Sequence, residues 1–271
     1  MQFDNKTVWV TGASSGIGKE TAIQLSAEVG RLVLSGRNVE QLEAVRKLCF
    51  NSEQHLVVPF DLAAMDDPAA LVDDVWQQSG GVDILLNSGG ISQRSLAMDC
   101  VAEVDRRLME INFFGTVALT KALVSKLLTR PMPHRGDVIT ISSVSGKIGA
   151  PMRAGYCASK HAVVGYMDCL RAELSDSGVT VAVVSPGWVK TAIAENALDG
   201  DGSQYNRKDR DTENGIEVGD FVSMMIKKLK NGRQDIVIAA GKARFGYHFH
   251  RFFPELYHRL LKRVYQHQDQ S

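Results

Sequence analysis

Seven short apolar runs alternate with longer amphipathic segments from Thr7 to Ile238, and that alternation confines the chain to a narrow set of folds. The runs are Thr7–Val10, Leu32–Leu34, Leu56–Pro59, Asp83–Leu86, Val138–Ile141, Thr180–Val184 and Asp235–Ile238. Several, such as Val181-Ala182-Val183-Val184, are apolar throughout, the pattern of a parallel strand covered by helices on both faces. Helix-length stretches fall between them at 17–27, 38–49, 67–79, 98–129, 154–177 and 217–230, with Gly or Pro near their ends. The expected fold is α/β, a doubly wound, parallel, seven-stranded Rossmann-type sheet with helices on both faces. No repeat or low-complexity linker interrupts the pattern, so residues 1–241 read as a single domain and 242–271 as a C-terminal helical extension.

Composition removes several classes of function. With 44% hydrophobic and 23% charged residues, the chain can bury a core and is neither disordered nor a coiled coil. Lys plus Arg, 31, balances Asp plus Glu, 31, which argues against a basic nucleic-acid surface. Cys49, Cys100, Cys157 and Cys169 form no C-x-x-C pair, so a reducing, cytoplasmic setting and no metal site are expected. The N-terminus lacks an apolar signal core, and no run approaches the roughly 20 continuous apolar residues of a membrane span.

The first strand runs into Thr11-Gly12-Ala13-Ser14-Ser15-Gly16-Ile17-Gly18 and then into a helix. In that setting glycines permit a tight turn, a pyrophosphate against bare backbone, and close packing of helix on strand, while the helix N-terminus offers free N–H groups. Gly12, Ser14, Ser15, Gly16, Ile17 and Gly18 are therefore candidate dinucleotide-binding residues. At the end of the second strand, Leu34-Ser35-Gly36-Arg37-Asn38 carries no acid to accept from a ribose 2′-OH. Arg37 can instead pair with a 2′-phosphate, so the expected cofactor is NADP(H). Asp61, after the third strand, is placed to meet the adenine, although an acid there is also a common turn former.

Ser142-Ser143 follows the fifth strand, Tyr156 stands 13 residues beyond Ser143, and Lys160 follows four positions later. That last spacing puts phenol and ammonium on one helix face. A phenol with a reference pKa of about 10 is a poor catalyst at neutral pH, and a neighbouring cation is expected to lower it. Tyr156 then serves as proton donor to a carbonyl or acceptor from an alcohol. Cys157, with no His partner nearby in sequence, reads as a small buried filler.

Taken together, Thr11–Gly18, Asp61-Leu62, Asn87-Ser88-Gly89-Gly90, Asn112, Ser142-Ser143, Tyr156 with Lys160, and Pro186-Gly187 with Thr191 resemble the short-chain dehydrogenase/reductase family in its NADP-preferring branch. The resemblance implies a catalytic set of Asn112, Ser143, Tyr156 and Lys160. Ser143 would bond the substrate oxygen, Tyr156 transfer the proton, Lys160 bind the nicotinamide ribose and depress the tyrosine pKa, and Asn112 hold a relaying water. It adds Leu62, Asn87, Gly89, Pro186, Gly187, Val189 and Thr191 to the cofactor contacts. One departure stands out: the family usually reads Asn-Asn-Ala-Gly where this chain has Asn87-Ser88-Gly89-Gly90, and the extra glycine is expected to spare the turn while loosening it. The implied function is hydride transfer between a nicotinamide and a small carbonyl or secondary-alcohol substrate. The alternative is a non-catalytic cofactor-sensing protein on the same fold.

Substrate specificity is expected from residues after Ser143, from Gln93–Ser95, from Trp188, and from the polar segment Thr191–Gly215, read as a mobile loop over the site. Phe253, Leu256, Tyr257, Leu260, Leu261 and Val264 form one apolar helical stripe beside Arg259, Lys262 and Arg263. From Lys242 onward there are six basic residues against two acidic ones, so a helix over 253–265 is expected either to pack on the protein near the cleft or to contact an anionic membrane peripherally. The resemblance also implies a homodimer or homotetramer built on faces of 98–129 and 154–177.

Overall fold

A computed structural model describes residues 1–207 and 210–268, without the side chains of residue 210 and of 263–268. All seven expected strands form one parallel sheet: β1 (Thr7–Thr11), β2 (Arg31–Ser35), β3 (Leu56–Val57), β4 (Ile84–Asn87), β5 (Gly136–Ile141), β6 (Val179–Pro186) and β7 (Asp235–Ile238), in the order β3-β2-β1-β4-β5-β6-β7. The continuous apolar runs are explained by two cores. Val8 and Val10 of β1 face one, with Leu25 and Phe221; Trp9 between them faces the other, with Val75, Leu119 and Met167. Strand β3 is shorter than expected, though Val58 N and Phe60 N still donate to Leu34 O and Gly36 O beyond it; Pro59 between them is tolerated because its N faces the open edge of the sheet.

Helices α1 (Gly16–Leu25), α2 (Val39–Leu48) and α3 (Pro68–Ser79) follow the first three strands. Local chemistry sets their ends: Asn38 accepts from Gln41 N to cap α2, and Asp67 accepts from Ala69 N and Ala70 N ahead of Pro68 to cap α3. The stretch expected as one helix over 98–129 is divided. It runs as α4 (Ala102–Met109), a π-helical turn (Glu110–Gly115) and α5 (Thr116–Leu127). Ala102–Leu127 is long and apolar enough to cross a membrane, which qualifies the expectation that no segment is; half of its most apolar window is buried in the fold, where α5 packs on α3. Then come α6 (Ala154–Glu173), the short α7 (Arg210–Glu213) and α8 (Val218–Lys230).

The tail is two helices, α9 (Gly241–Phe252) and α10 (Pro254–Gln268), broken where Pro254 starts the second. The expected stripe does not pack as one face. Tyr257 is buried against Val144 and Ile148 and donates from its hydroxyl to Gly149 O at 3.3 Å, with Leu261 partly covered beside it. Phe253, Leu256 and Leu260 stay 52%, 49% and 40% exposed, so only one edge of α10 is used by the fold. The side chains of Arg263 and Val264 lie outside the described residues.

Candidate active site

Strand order reverses between β1 and β4, and at such a switch point the loops after the strands part to leave a crevice. Here it is a cleft of about 980 Å³ running from Arg37 and Asp61 at one end to Ser143, Tyr156 and Trp188 at the other.

The glycine-rich turn is pressed against the turn after β4. Gly12 has φ +65°, and a Cβ on it would stand 2.7 Å from the Gly89 Cα, so only glycine serves there. Thr11 Oγ1 accepts from Ser88 N at 3.1 Å and Gly89 N at 3.2 Å, which pins the Ser88-Gly89-Gly90 turn that its extra glycine was expected to loosen. Ser15 precedes α1 without a side-chain cap, and Gly16 and Ile17 line the cleft. Uncapped first-turn N–H groups beside bare glycine backbone suit a pyrophosphate. Arg37 is exposed on the wall near the end of β2, and Asp61 is the one carboxylate among the described lining residues. Asp61 also works as a turn former, accepting from Ala63 N at 3.0 Å.

At the other end, Ser142 donates from Oγ to Lys160 O at 3.2 Å, and Lys160 donates from Nζ to Ile141 O at 3.1 Å. These bonds clamp α6 onto the end of β5. Ser143 Oγ accepts from Ser145 N at 3.0 Å, which leaves its O–H to donate, and the hydroxyl is hydrogen-bonded to the Tyr156 phenol. Burial pushes the Tyr156 phenol above its usual range, opposed by the charge of Arg153, the Ser143 hydrogen bond and the charge of Arg94. The expectation that a cation lowers this pKa is thus corrected: desolvation outweighs the cations, and the opposing charges come from arginines. The ammonium of Lys160 lies 5.9 Å from the phenol ring centre, itself pushed down to about 8 by burial. Cys157 is buried, and that burial pushes its thiol up, as suits a filler.

Of the expected cofactor contacts, Gly12, Ser14, Ser15, Gly16, Ile17, Arg37, Asp61, Leu62, Gly89, Tyr156, Lys160, Pro186, Gly187, Val189 and Thr191 line the cleft. Gly18, Asn87 and Asn112 are placed beneath its wall. Asn87 donates to Thr120 Oγ1 and Thr140 Oγ1, and a Cβ on Gly18 would meet the Gly12 carbonyl at 2.4 Å. Asn112, in the π-helical turn, accepts from Ile91 N at 2.8 Å and donates to Ile91 O and Ser159 Oγ, both at 2.9 Å. Its side chain is thereby occupied in joining the turn after β4 to α6.

The flap after β6 is anchored at its base, where Lys190 N donates to Ile216 O and Ile216 N to Trp188 O. Midway, Leu198 N donates to Ser92 O and Arg94 N to Leu198 O, so the segment expected as a loop over the site is tied across the cleft. Residues 208 and 209 of the flap lie outside the described residues. Sequence reading passed over Arg153, which lines the cleft three residues before Tyr156; a cation at that helical spacing from the phenol was the available signal.

The sequence pattern that defines the short chain dehydrogenases matches residues 6–201. Dehydrogenase/reductase SDR family member 7B of Mus musculus is 38% identical over 262 residues, covering 95% of this chain and 80% of its own length. Among solved structures, a short-chain dehydrogenase of Burkholderia cenocepacia in complex with NADP superposes with a TM-score of 0.78 at 21% identity, over 96% of this chain and 99% of that one. A short-chain dehydrogenase/reductase of Burkholderia phymatum in complex with NAD gives 0.76 at 21%, over 88% and 90%. By the match of its sequence to that family over most of its length, the chain belongs to the short-chain dehydrogenase/reductase family of nicotinamide-dependent oxidoreductases.

Proposed function

We propose that the protein is an NADP(H)-dependent oxidoreductase that interconverts a carbonyl and a secondary alcohol, with Tyr156 as general acid and base. The observation that carries this reading is the buried Tyr156 phenol, hydrogen-bonded to Ser143 and set within reach of Lys160 and Arg153, at the far end of a cleft that begins in a glycine cradle. A bound nicotinamide supplies or takes up the hydride. Ser143, its lone pair engaged by Ser145 N, directs its proton to the substrate oxygen. Tyr156 gives that oxygen a proton in reduction and takes one in oxidation. Lys160 would meet the nicotinamide ribose, and the charges of Arg153 and Arg94 favour the phenolate. Asn112 has its side chain engaged, so a relaying water would rest on its main-chain carbonyl, in the widened turn where π geometry disturbs the helical ladder.

NADP(H) rather than NAD(H) is favoured by Arg37 at the end of β2 and by the lack of a carboxylate in that turn. The outer faces around α5 and α6, where Phe114 is 53% exposed and Phe113 lies edge-on to Tyr166, are the proposed homo-oligomer contact. The exposed Phe253, Leu256 and Leu260, with Arg259 and Lys262 beside them on α10, are the proposed peripheral membrane contact of an otherwise cytoplasmic protein.

The test is a panel of ketones and aldehydes with NADPH and with NADH, following loss of the reduced nicotinamide absorbance. Turnover of at least one carbonyl with NADPH preferred supports the reading. Tight NADPH binding with no turnover across the panel would instead favour the cofactor-sensing alternative.

A further inference from the structure

The segment that follows Ser143 is held from two sides. Ser143 Oγ accepts from Ser145 N at 3.0 Å, so the direction of its O–H depends on where the 3₁₀ turn Val144–Gly146 stands. The turn is tightly wound: Gly146 N donates to Ser143 O at 2.8 Å, and Ile148 N to Val144 O at 3.0 Å. On its inner side a Cβ on Gly146 would stand 2.6 Å from both Lys160 O and Ser142 Oγ, which leaves the turn no room to move toward α6. Any displacement must therefore be outward.

Outward of the turn lies the tail. Val144 and Ile148 belong to neither of the two main cores; they are buried with Tyr257 in a separate small cluster, against which Tyr247, Phe249 and Leu261 of α9 and α10 are packed. Tyr257 is 6% exposed on a helix whose Phe253, Leu256 and Leu260 face away from the protein. Its hydroxyl donates to Gly149 O at 3.3 Å, at the far end of the segment that Ser143 begins, and burial raises this phenol's pKa and keeps it protonated as the donor. Helix α9 closes over the contact. Gly246 lies against both the Tyr257 ring and Ile148, and His250 meets that ring edge-on, with the centres 5.1 Å apart.

We propose that Tyr257 is a positioning residue for the reaction: it holds the turn behind Ser143 against α6 and so fixes the direction in which Ser143 presents its hydroxyl to Tyr156 and to the substrate oxygen. The inference rests on the reading of Ser143 as a member of a carbonyl-reductase site, and it extends that site to the C-terminal helix. Without the Tyr257 ring, Val144 and Ile148 lose their cover and the turn is free to relax outward. A small misplacement of a group that orients the substrate costs rate, while the cofactor cradle at the other end of the cleft is untouched.

The experiment is single-turnover hydride transfer by the full chain, saturated with NADPH, to a carbonyl that the parent reduces. Tyr257→Ala is expected to slow it about tenfold or more, with NADPH affinity within a few-fold of the parent, and Tyr257→Phe, which keeps the ring, is expected to restore most of the rate. In a Ser143→Ala background Tyr257→Ala is expected to add little, because both changes remove the same interaction. A parental rate in Tyr257→Ala, or an undiminished further loss in the Ser143→Ala background, overturns the proposal. Amide exchange supplies a readout independent of turnover: Ser145 N–H is expected to exchange about tenfold or more faster in Tyr257→Ala, with the amides of β1 and β4 unchanged. Equal protection of residues 143–149 in both proteins, or an acceleration spread equally over β1 and β4, overturns it. If exchange at Ser145 rises selectively but the parent reduces no carbonyl, the catalytic reading fails while the hold of Tyr257 on the Ser143 turn stands.

Discussion

Lys160 donates from Nζ to Ile141 O at 3.1 Å, joining α6 to the last residue of β5, two positions before Ser143. Together with the bond from Ser142 Oγ to Lys160 O, it sets the spacing of the two elements that carry the phenol and the serine hydroxyl, and it does so with a buried ammonium whose pKa burial brings down to about 8.

The sign of that shift gives a stability prediction. A lysine titrating near 10.4 when unfolded and about 8 when folded is protonated in both states below the lower value, where its burial cost is complete; between the two values the unfolded chain binds more protons, and stability rises with pH. Lys160→Met is therefore expected to raise the unfolding free energy of the cofactor-free protein near neutral pH by an amount on the order of 3 kcal/mol at most. The gain should shrink toward pH 10, at which the parent has lost the proton. Melting temperatures of both proteins at the two pH values check this; a variant less stable than the parent at neutral pH contradicts it.

Because burial raises the Tyr156 phenol, it keeps its proton through neutral pH. Carbonyl reduction, which needs the protonated phenol, should be flat from about pH 6 to 8, while alcohol oxidation, which needs the phenolate, should rise over the same range. Profiles of kcat/KM in both directions test this, and a reduction rate that climbs with pH would be incompatible with it.

Arg37→Asp exchanges a partner for a 2′-phosphate for a carboxylate that repels it and accepts from a 2′-OH. The NADPH to NADH ratio of kcat/KM is expected to fall by roughly a hundredfold, since hydrogen bonds to charged groups contribute about 1.5–3 kcal/mol. An unchanged KM for NADPH would make Arg37 a turn residue only.

The tail divides its labour, with Tyr257 against Val144 and Ile148 and with Phe253, Leu256 and Leu260 outward. Attachment to anionic vesicles through Arg259 and Lys262 should weaken as salt rises and be negligible on neutral lipid. Co-sedimentation of the full chain decides it, and failure to pellet with anionic vesicles at low salt removes the membrane role.

The strands were legible because both faces of the sheet are covered, so that Val8, Trp9 and Val10 are all apolar though they face different cores. The π-helical turn at Asn112 was not, since widening a helix by one residue barely disturbs an apolar pattern spread over 26 residues. The lining residues were legible from the glycine turn and the spacing of Ser143, Tyr156 and Lys160. The sign of the phenol's shift was not, because desolvation depends on what covers the group. Arg94 and Arg153 are brought together by a hydrogen bond across 57 positions, between Ser95 and Met152, which no local pattern records.

Tyr156→Phe is the most direct test of the central claim, for it deletes the proton donor and leaves the cleft otherwise intact. Single-turnover hydride transfer with saturating NADPH and a carbonyl that the parent reduces should slow by at least about a hundredfold, with NADPH affinity changed no more than a few-fold. A variant that keeps most of the parent's rate would show that another group moves the proton and that Tyr156 is not the catalyst.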